Sequence, residues 1–339
     1  MALWSSTEVE QATSGSSTCA WVANGVSIDT RTIRKGDLFI ALKDKRDGHS
    51  FVADALSKGA SAAMVSFIPR DVEKKAPLII VKDTQSALQR LGAAARNRSQ
   101  AQIIAVTGSV GKTSTKEMLR TVLARQGYTH ASVGSYNNHW GVPLTLSRMP
   151  KETQFGIFEI GMNHPNEIAP LSRLVQPHVV LITAIAEAHL EAFESIIDIA
   201  IEKASVMEGL VEGGFAILNA DTRLSYILKN VANQIGCGQV WFGKTAKAVR
   251  LINYRRKKGS IIIKGNFNGK ILSFSLETLG EHFVFNALAT VAAVQALGGH
   301  AKNAAADLAL WTPEKGRCSI KEITTSFGKI KIIDDTYNA

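Results

Sequence analysis

The loop TGSVGKTST constrains this chain more than any other feature of its sequence. It follows the apolar run IIAV and precedes a helical pattern, KTSTKEMLRTVLARQG, so it joins a buried strand to a helix. Such a junction presents free backbone N–H groups and the positive end of the helix dipole to an anion. Gly108 and Gly111 allow the backbone to approach a phosphate closely. Lys112 can neutralise terminal phosphate oxygens, and the hydroxyl of Thr113 can hold Mg²⁺.

The spacing of the loop departs from the usual Walker A pattern, which has four residues between its glycines. Here only Ser109 and Val110 separate them. A strand before the loop and a helix after it nevertheless favour a nucleoside triphosphate site, although they leave the reaction open. The residues predicted to bind the nucleotide here are Gly108, Ser109, Val110, Gly111, Lys112, Thr113 and Ser114.

Apolar runs alternate with helical patterns through the middle of the chain, as in FGIFEIG before NEIAPLSRLV and VVLITAI before ESIIDIAIEKASVMEGLV. This alternation predicts an α/β fold with a doubly wound, mostly parallel sheet. Short strands and helices over 26–81 predict a small N-terminal α/β domain, and Asn268-Gly269 predicts a hairpin in a small antiparallel insert. We therefore expect an N-terminal domain over 1–98, a central domain over 99–313, and the opening of a third domain over 314–339.

Two polar residues follow apolar runs of the predicted sheet. Glu159 ends FGIFEIG, and His189 lies just beyond VVLITAI. Parallel strands bring their carboxyl ends to one rim, so both side chains are expected beside Lys112. A carboxylate and an imidazole beside a phosphate site indicate metal ligands. Either residue alone is more often structural or merely exposed.

The net charge of +10 suits nucleic acids, anionic membranes or small anionic substrates. The densest basic run, 255–258, is typical of a solvated turn, and no aromatic residues interleave with it, so we expect no nucleic-acid partner. Three dispersed cysteines fit a reducing compartment. No signal peptide and no membrane-spanning run is evident, so the sequence predicts a cytoplasmic protein without membrane insertion, and we expect a monomer.

Several ordered segments together resemble the Mur ligases, the ATP-dependent amide-forming enzymes of peptidoglycan synthesis. They include DTRTIRKGDLFIALKDKRDGHSF, TGSVGKTSTKEM, SYNNHWGVPLTL, EIGMNHPNEIAPL, AHLEAF, GEHFVFNALA and GRCSIKEI followed by IDDTYNA. Within the family, the chain resembles the enzymes that add D-Ala-D-Ala to UDP-MurNAc-tripeptide. The resemblance covers about residue 28 onward, and it implies ATP and two Mg²⁺ ions as cofactors.

The resemblance also implies roles for residues of the central domain. Lys112 matches the lysine that contacts the β- and γ-phosphates, and Thr113 and Glu159 match the ligands of a first Mg²⁺. His189 and Lys203 match residues of a second metal site, where the family carbamylates the lysine. Lys112, Lys203 and His189 are thus the expected catalytic residues. An alternative for Lys203 is a surface lysine on an amphipathic helix.

Further matches concern the nucleotide and the sugar substrate. Asn286 matches the residue that contacts adenine, while Arg317 and Asp335 match residues that reach the phosphate and the ribose. The residues expected to meet the UDP-sugar substrate are Thr30, Arg31, Asp47, His49, Asn137 and Asn138. Two positions depart from the family pattern: Thr30 stands where serine is usual, and Ala184 stands where asparagine is frequent. The third residue of the peptide stem, lysine or diaminopimelate, stays open.

The implied reaction activates the tripeptide carboxylate as an acyl phosphate, which the amine of D-Ala-D-Ala then attacks. The family continues beyond DDTYNA into a C-terminal domain, so we expect this chain alone to be poorly active. Alternatives are another ligase of the superfamily, such as a different Mur ligase or a folylpolyglutamate synthase, and a non-catalytic nucleotide-binding fragment. A P-loop GTPase or kinase is disfavoured by the loop spacing and by the lack of an NKxD-type guanine motif.

Overall fold

The computed structural model describes residues 2–187, 191–257, 259–278, 280–325 and 328–337. The chain forms two compact units, one comprising residues 1–101 with 136–153 and the other comprising 102–135 with 154–339. The predicted domains, with bounds at 98 and 313, place 136–153 in the central domain, whereas its contacts place it in the first unit. Contacts within the chain do not show what each predicted domain binds. The assignment of three domains with separate functions therefore stays a prediction.

The first unit is a small α/β domain built on a five-stranded sheet. Its elements are β1 Trp4–Ser5, α1 Ser6–Thr13, β2 Ser16–Ser17, β3 Val22–Ala23, β4 Gly25–Ser27, β5 Asp37–Ile40, a 3₁₀ turn Gly48–Phe51, α2 Val52–Ser57, β6 Ala62–Val65, β7 Leu78–Ile80, α3 Thr84–Asn97 and α5 Gly141–Ser147. The sheet order is β2-β7-β6-β5-β4, in which only β2 runs antiparallel to its neighbour.

Helices α3 and α5 pack closely in this unit, although about forty residues of sequence separate them. Asp83 caps α3 by accepting a hydrogen bond from Ser86 N at 2.7 Å. An alanine side chain at Gly92 would lie 3.1 Å from Pro143 O, so the two backbones meet at a glycine. Leu88 and Leu144 share one buried apolar cluster there, which anchors 136–153 to the first unit.

The second unit contains a nine-stranded sheet with helices around it. Its elements are β8 Gln102–Thr107, α4 Lys112–Leu123, β9 Thr129–Ala131, β10 Phe155–Glu159, α6 Ile168–Val175, β11 Val179–Ile182, α7 Ile196–Ala204, a 3₁₀ turn Ser205–Gly209, β12 Phe215–Asn219, α8 Ser225–Ile235, β13 Gly238–Gly243, β14 Val249–Lys257, β15 Ser260–Phe267, β16 Lys270–Leu276, α9 His282–Ala296, α10 Ala301–Asp307, a 3₁₀ turn Leu308–Leu310, β17 Ser319–Thr325 and β18 Gly328–Asp334.

The strand order of this sheet is β16-β15-β14-β13-β12-β11-β8-β10-β9. The seven strands from β9 to β14 pair in parallel, which confirms the predicted parallel sheet. The antiparallel strands β15 and β16 extend the same sheet. Asn268 and Gly269 form the predicted turn between them, with φ values of 49° and 89°.

The core explains why the central strands read as unbroken apolar runs. Ile104 and Val106 lie in a buried cluster with residues of α4 and α9. The alternate residues Ile103 and Ala105 are also fully buried. Both faces of the sheet are therefore covered, as expected for parallel strands. In the described ranges, no helix combines the length and the apolar character that crossing a membrane requires.

One predicted helix is shorter in the structure. The run ESIIDIAIEKASVMEGLV predicts a single long helix, but α7 ends at Ala204 and a 3₁₀ turn follows over Ser205–Gly209. An alanine side chain at Gly209 would overlap the backbone of Ser172 in α6. The close approach of α6 to this turn favours the tighter geometry there.

Candidate active site

The predicted phosphate loop lies between β8 and α4, as the sequence indicates. Gly108 and Gly111 adopt φ values of 148° and 83°, a region that disfavours other residues. An alanine side chain at Gly111 would lie 2.9 Å from Oδ1 of Asn286, and one at Gly108 would overlap Oγ1 of Thr183. Both glycines are therefore required by close packing of the loop against neighbouring elements.

The loop is held by the segment that follows β11. Ser109 N donates to Ala184 O at 2.8 Å, and its Oγ donates to Ala186 O at 2.8 Å. The hydroxyl of Thr183 donates to Val110 O at 2.6 Å. These contacts are not evident from the sequence, because most of them are made by backbone carbonyls. Ala184 takes part through its carbonyl, although its side chain departs from the family pattern.

Lys112 is the first residue of α4, and its side chain folds back over the loop. Its Nζ donates to Gly108 O at 2.8 Å and to Ser109 O at 3.4 Å. Burial lowers the pKa of Lys112, and the charge of Arg317 lowers it further, while Glu159 opposes both effects. Gly111 is the N-cap residue of this helix, and it supplies no side-chain hydrogen bond to the first turn. Its first N–H groups are therefore available to an anion.

The rim of the sheet brings Glu159 to this loop. Glu159 ends β10, pairs in register with Val106 of β8, and is 1% exposed. Its charge acts on Lys112, which places the two groups close together. The parallel strands thus juxtapose Glu159 and Lys112, as the sequence predicts. The second rim residue of that prediction, His189, lies outside the described residues.

Lys203 is buried in α7 with 1% of its surface exposed. Burial lowers its pKa from 10.5 to about 7, and the charge of Lys112 contributes. The neighbouring Glu202 accepts hydrogen bonds from the backbone N–H groups of Asn166, Glu167 and Ile168 at 2.8–3.0 Å. Glu202 therefore stabilises the start of α6, while Lys203 stands near the phosphate loop. The alternative of a surface lysine is inconsistent with this burial.

Two further predicted nucleotide residues contact the loop or the first turn of α4, and a third, Asp335, is bonded next to one of them. Arg317 Nη2 donates to Thr113 Oγ1 at 3.2 Å, and Asn286 packs against Gly111. Asp335 accepts a hydrogen bond from Cys318 N at 3.1 Å. Burial lowers the pKa of His282, at the start of α9, and the nearby charge of Asp335 opposes this shift. Of the remaining loop residues, Val110 is exposed, whereas Thr113 and Ser114 are buried.

The donor chemistry beside the loop fits Mg²⁺. Thr113 offers a hydroxyl oxygen and Glu159 a carboxylate, and Mg²⁺ is usually held by one or two such groups together with substrate phosphates. No group of three or more His, Cys, Asp or Glu side chains converges as a metal site within the part of the chain that the structure describes. The fit therefore relies on the phosphates of a bound nucleotide to complete the coordination.

The first unit contains a separate cavity of about 510 Å³. The predicted substrate residues Thr30 and Arg31 line it, but Asp47, His49, Asn137 and Asn138 do not. The other lining residues were not predicted from the sequence; they are Ile28, Asp29, Phe39, Leu42, Asp44, Lys45, Arg46, Gly48, Phe51, Tyr136 and Trp140. Most of them lie within or beside the segments that resemble the family. Their position in those segments could have identified them as candidates.

The predicted substrate residues outside the cavity lining have structural partners. His49 is 4% exposed, its Nδ1 lies 2.7 Å from Asp47 Oδ1, and its Nε2 accepts a hydrogen bond from Ser66 N at 2.8 Å. Asn138 Oδ1 accepts a hydrogen bond from Gly141 N at 2.9 Å, at the start of α5. These bonds shape the segments that carry Gly48 and Trp140, which do line the cavity.

Comparisons with known proteins give matches over most of the chain. The Mur ligase middle domain matches residues 106–294, and the catalytic domain of the Mur ligase family matches residues 22–96. The chain is 35% identical to the UDP-N-acetylmuramoyl-tripeptide--D-alanyl-D-alanine ligase of Rickettsia prowazekii over 318 residues, which is 93% of this chain and 70% of that protein.

Solved structures agree with the sequence comparisons. The crystal structure of MurF from Acinetobacter baumannii superposes with a TM-score of 0.86 at 32% identity, covering 99% of this chain and 73% of that one. MurF ligase from Thermotoga maritima, solved in complex with ADP, gives a TM-score of 0.78 at 25% identity, covering 93% of this chain and 71% of that one. Both similarities extend across the two compact units.

Proposed function

This chain belongs to the Mur ligase family, and on that premise we propose that it adds D-Ala-D-Ala to UDP-MurNAc-tripeptide with hydrolysis of ATP to ADP and phosphate. The observation that carries the proposal is the arrangement of Lys112, Lys203 and Arg317 around an uncapped helix N-terminus that follows a glycine loop. This arrangement suits a nucleotide polyphosphate. The relatives that match the chain are named for D-Ala-D-Ala addition, which favours this reaction over other ligases of the superfamily.

We assign the nucleotide to the rim between β8 and α9. The backbone N–H groups of the loop and Lys112 bind its β- and γ-phosphates, and Arg317, which donates to Thr113 Oγ1, also meets them. Asn286, packed on Gly111, faces the adenine, and Asp335, near His282, faces the ribose. The Thermotoga maritima structure contains ADP, which supports a nucleotide site in this fold.

Two Mg²⁺ ions are part of the proposal. Thr113 and Glu159 hold the first. Lys203 as a carbamate, together with His189, holds the second. A neutral amine is the form that reacts with carbon dioxide, and a pKa of about 7 keeps much of Lys203 neutral at physiological pH. The carbamate converts a cation that repels metal into an anion that attracts it. When bound, the ions neutralise charge on the phosphates.

The proposed reaction has two balanced steps. An oxygen of the tripeptide carboxylate attacks the γ-phosphorus, and the bond to the bridging oxygen breaks to release ADP. The amine of D-Ala-D-Ala then attacks the acyl carbon, loses a proton, and displaces phosphate. The protein contributes position and charge: Lys112 and Arg317 stabilise negative charge on the transferred phosphoryl group.

The cavity of the first unit is proposed to bind the UDP end of the sugar substrate. Arg31, Lys45 and Arg46 among its lining residues supply the positive charge that a diphosphate requires. Phe51, Tyr136 and Trp140 supply apolar and aromatic surface suited to a nucleobase or sugar. The domain over 1–98 and the segment 136–153 together carry this proposed role, and we propose that the chain works as a monomer.

The proposal is tested by product formation at stoichiometric protein concentration. The chain is incubated with UDP-MurNAc-tripeptide, Mg²⁺·ATP and D-Ala-D-Ala, and the pentapeptide product is measured by mass spectrometry. We expect product with D-Ala-D-Ala and none with glutamate, lysine or diaminopimelate as the amine. The matched control is Lys112→Ala, which we expect to bind no ATP while keeping its melting temperature. Product with another amine instead, or ATP binding by the control as tight as the parent's, overturns the assignment.

A further inference from the structure

Tyr337 lies against Arg317 at the end of the described chain. The Arg317 guanidinium carbon stands 4.0 Å from the centroid of the Tyr337 ring. Tyr337 N also donates to Gly316 O at 2.9 Å, which joins the two segments beside Arg317. Gly316 has a φ of 80°, and an alanine side chain there would lie 3.3 Å from Tyr337. The backbone contacts therefore fix the position in which the aromatic ring stacks on the guanidinium.

The hydroxyl of Tyr337 reaches a different part of the second unit. Its Oη lies 3.2 Å from Ser135 Oγ, within hydrogen-bonding distance. Ser135 directly follows the segment 132–134, which comes after β9. Tyr337 is 49% exposed, so this bond and the ring stack are its main means of holding a fixed orientation. One side chain thus spans from Arg317 to the segment after β9.

Lys116 attaches that segment to the helix of the phosphate loop. It is fully buried in α4, and its Nζ donates to Ser132 O at 3.0 Å and to Gly134 O at 2.7 Å. An ion pair of 2.8 Å with Glu117 Oε1 compensates its charge. Burying a lysine requires such complete compensation. The buried Lys116 therefore fixes the segment before Ser135 relative to α4.

These contacts form a closed ring that begins and ends on α4. Lys116 holds the segment 132–134, Ser135 holds Tyr337, Tyr337 supports Arg317, and Arg317 donates to Thr113 in the first turn of α4. We propose that Tyr337 is a positioning residue, which holds the Arg317 guanidinium at the phosphate loop through its ring and is itself oriented by Ser135. This inference rests on the proposed function, because the ligand that Arg317 meets is the nucleotide polyphosphate.

The physical reason for such a support is side-chain entropy. A free arginine loses rotamer freedom when it binds a phosphate, and a stacked guanidinium has lost much of it in advance. The stack is partly exposed, so its expected effect on affinity is modest, about three- to tenfold. Loss of the Tyr337 ring should therefore weaken nucleotide affinity only when Arg317 is present, and only for ligands that carry the phosphates that Arg317 contacts.

The experiment measures dissociation constants of a non-hydrolysable ATP analogue and of AMP, both with Mg²⁺, for single and double variants of the chain. We expect Tyr337→Ala to weaken the ATP analogue about three- to tenfold and to leave AMP unchanged. Tyr337→Ala in an Arg317→Ala background should have little further effect. Tyr337→Phe should retain most of the affinity for the ATP analogue, and Ser135→Ala should retain as much as Tyr337→Phe does. Tyr226→Ala, an exposed tyrosine on α8, is the matched control.

Each outcome bears on one statement. Additive losses in the Tyr337→Ala, Arg317→Ala double variant, or equal losses for the ATP analogue and AMP, overturn the positioning role. A Tyr337→Ala variant with unchanged affinity for the analogue overturns it as well. Failure of the parent chain to bind the analogue contradicts the proposed function instead. Melting temperatures of all variants, measured without nucleotide, identify any variant that has lost its fold. If Tyr337→Ala has lost it, Tyr337→Leu, which keeps apolar bulk without an aromatic face, replaces it with the same expected loss of affinity for the ATP analogue and the same overturning outcomes.

Discussion

Arg317 Nη2 donates a hydrogen bond of 3.2 Å to Thr113 Oγ1, joining residues that are 204 positions apart in the sequence. The same hydroxyl is the proposed ligand of the first Mg²⁺. Thr113 Oγ1 therefore links the proposed metal site to Arg317, which is proposed to meet the phosphates.

Thr113→Val tests the proposed metal-binding role of this hydroxyl. The substitution keeps the shape of the side chain and removes the oxygen, so we expect about tenfold or greater loss of affinity for an ATP analogue with Mg²⁺. With excess chelator, the loss should shrink, because no metal is then bound. Thr113→Ser keeps the oxygen and should bind nearly as the parent does. An equal loss with and without Mg²⁺ contradicts a metal-binding role and indicates a packing defect.

Much of this site could be predicted because strand and loop patterns are local. Unbroken apolar runs predicted the parallel strands, and parallel strands necessarily place Glu159 on the same rim as Lys112. The glycines of the loop could be identified because their backbone conformations suit little else. These features depend on neighbours in sequence, or on a general property of parallel sheets.

The unpredicted features depend on contacts between distant segments. Nothing local in SYNNHWGVPLTL indicates that α5 packs on α3 in the first unit, because its apolar surface suits any core. The burial of His49 against Ser66, and the holding of the loop by Ala184 and Ala186, likewise arise from tertiary packing. The family resemblance located residues near the cavity of the first unit, but it could not separate those that line it from those that support them.

Lys203→Met should stabilise the protein at neutral pH. The folded state holds the pKa of Lys203 at about 7 instead of 10.5, so protonated Lys203 costs stability, fully below pH 7 and progressively less as the pH rises toward 10.5. We expect the free energy of unfolding of the variant to exceed that of the parent by a few kcal/mol at pH 7. At pH 9 this difference should be about 2 kcal/mol smaller. Denaturant unfolding in buffer free of carbon dioxide measures both values.

The control for this experiment is Lys229→Met, because Lys229 is an exposed lysine on α8. The free energy of unfolding of this control should differ little from that of the parent, and the difference should be the same at pH 7 and at pH 9. A Lys203→Met variant that is less stable than the parent at pH 7 contradicts the inference that burial of the charged amine is costly. A stability difference that grows with pH gives the wrong sign and contradicts it too.

Lys203→Ala should lose ligation, because the proposed carbamate supplies an anionic group that alanine lacks. Short carboxylic acids such as acetate or propionate can enter the resulting cavity and should restore part of the activity. We expect at least a roughly tenfold loss in single-turnover ADP formation, with partial recovery as the acid concentration rises. Lys229→Ala, treated in the same way, should show neither loss nor response. Full activity of Lys203→Ala without any acid would sink the carbamate proposal.

Gly111→Ala should disable the phosphate loop more severely than backbone strain alone explains. Gly111 has a φ of 83°, which costs an alanine about 1–2 kcal/mol, and the new methyl group would stand 2.9 Å from Asn286 Oδ1.

Gly213→Ala is the matched control, since its φ is 73° and no atom lies within 4 Å of the added carbon. We expect Gly213→Ala to lose about 1 kcal/mol of stability and to bind the ATP analogue normally. Gly111→Ala should lose more stability and bind the analogue at least about tenfold more weakly, because the displaced Asn286 and the widened loop no longer match the nucleotide. Thermal unfolding and calorimetric titration measure the two effects, and equal behaviour of the two variants would show that the contact between Gly111 and Asn286 does not shape the site.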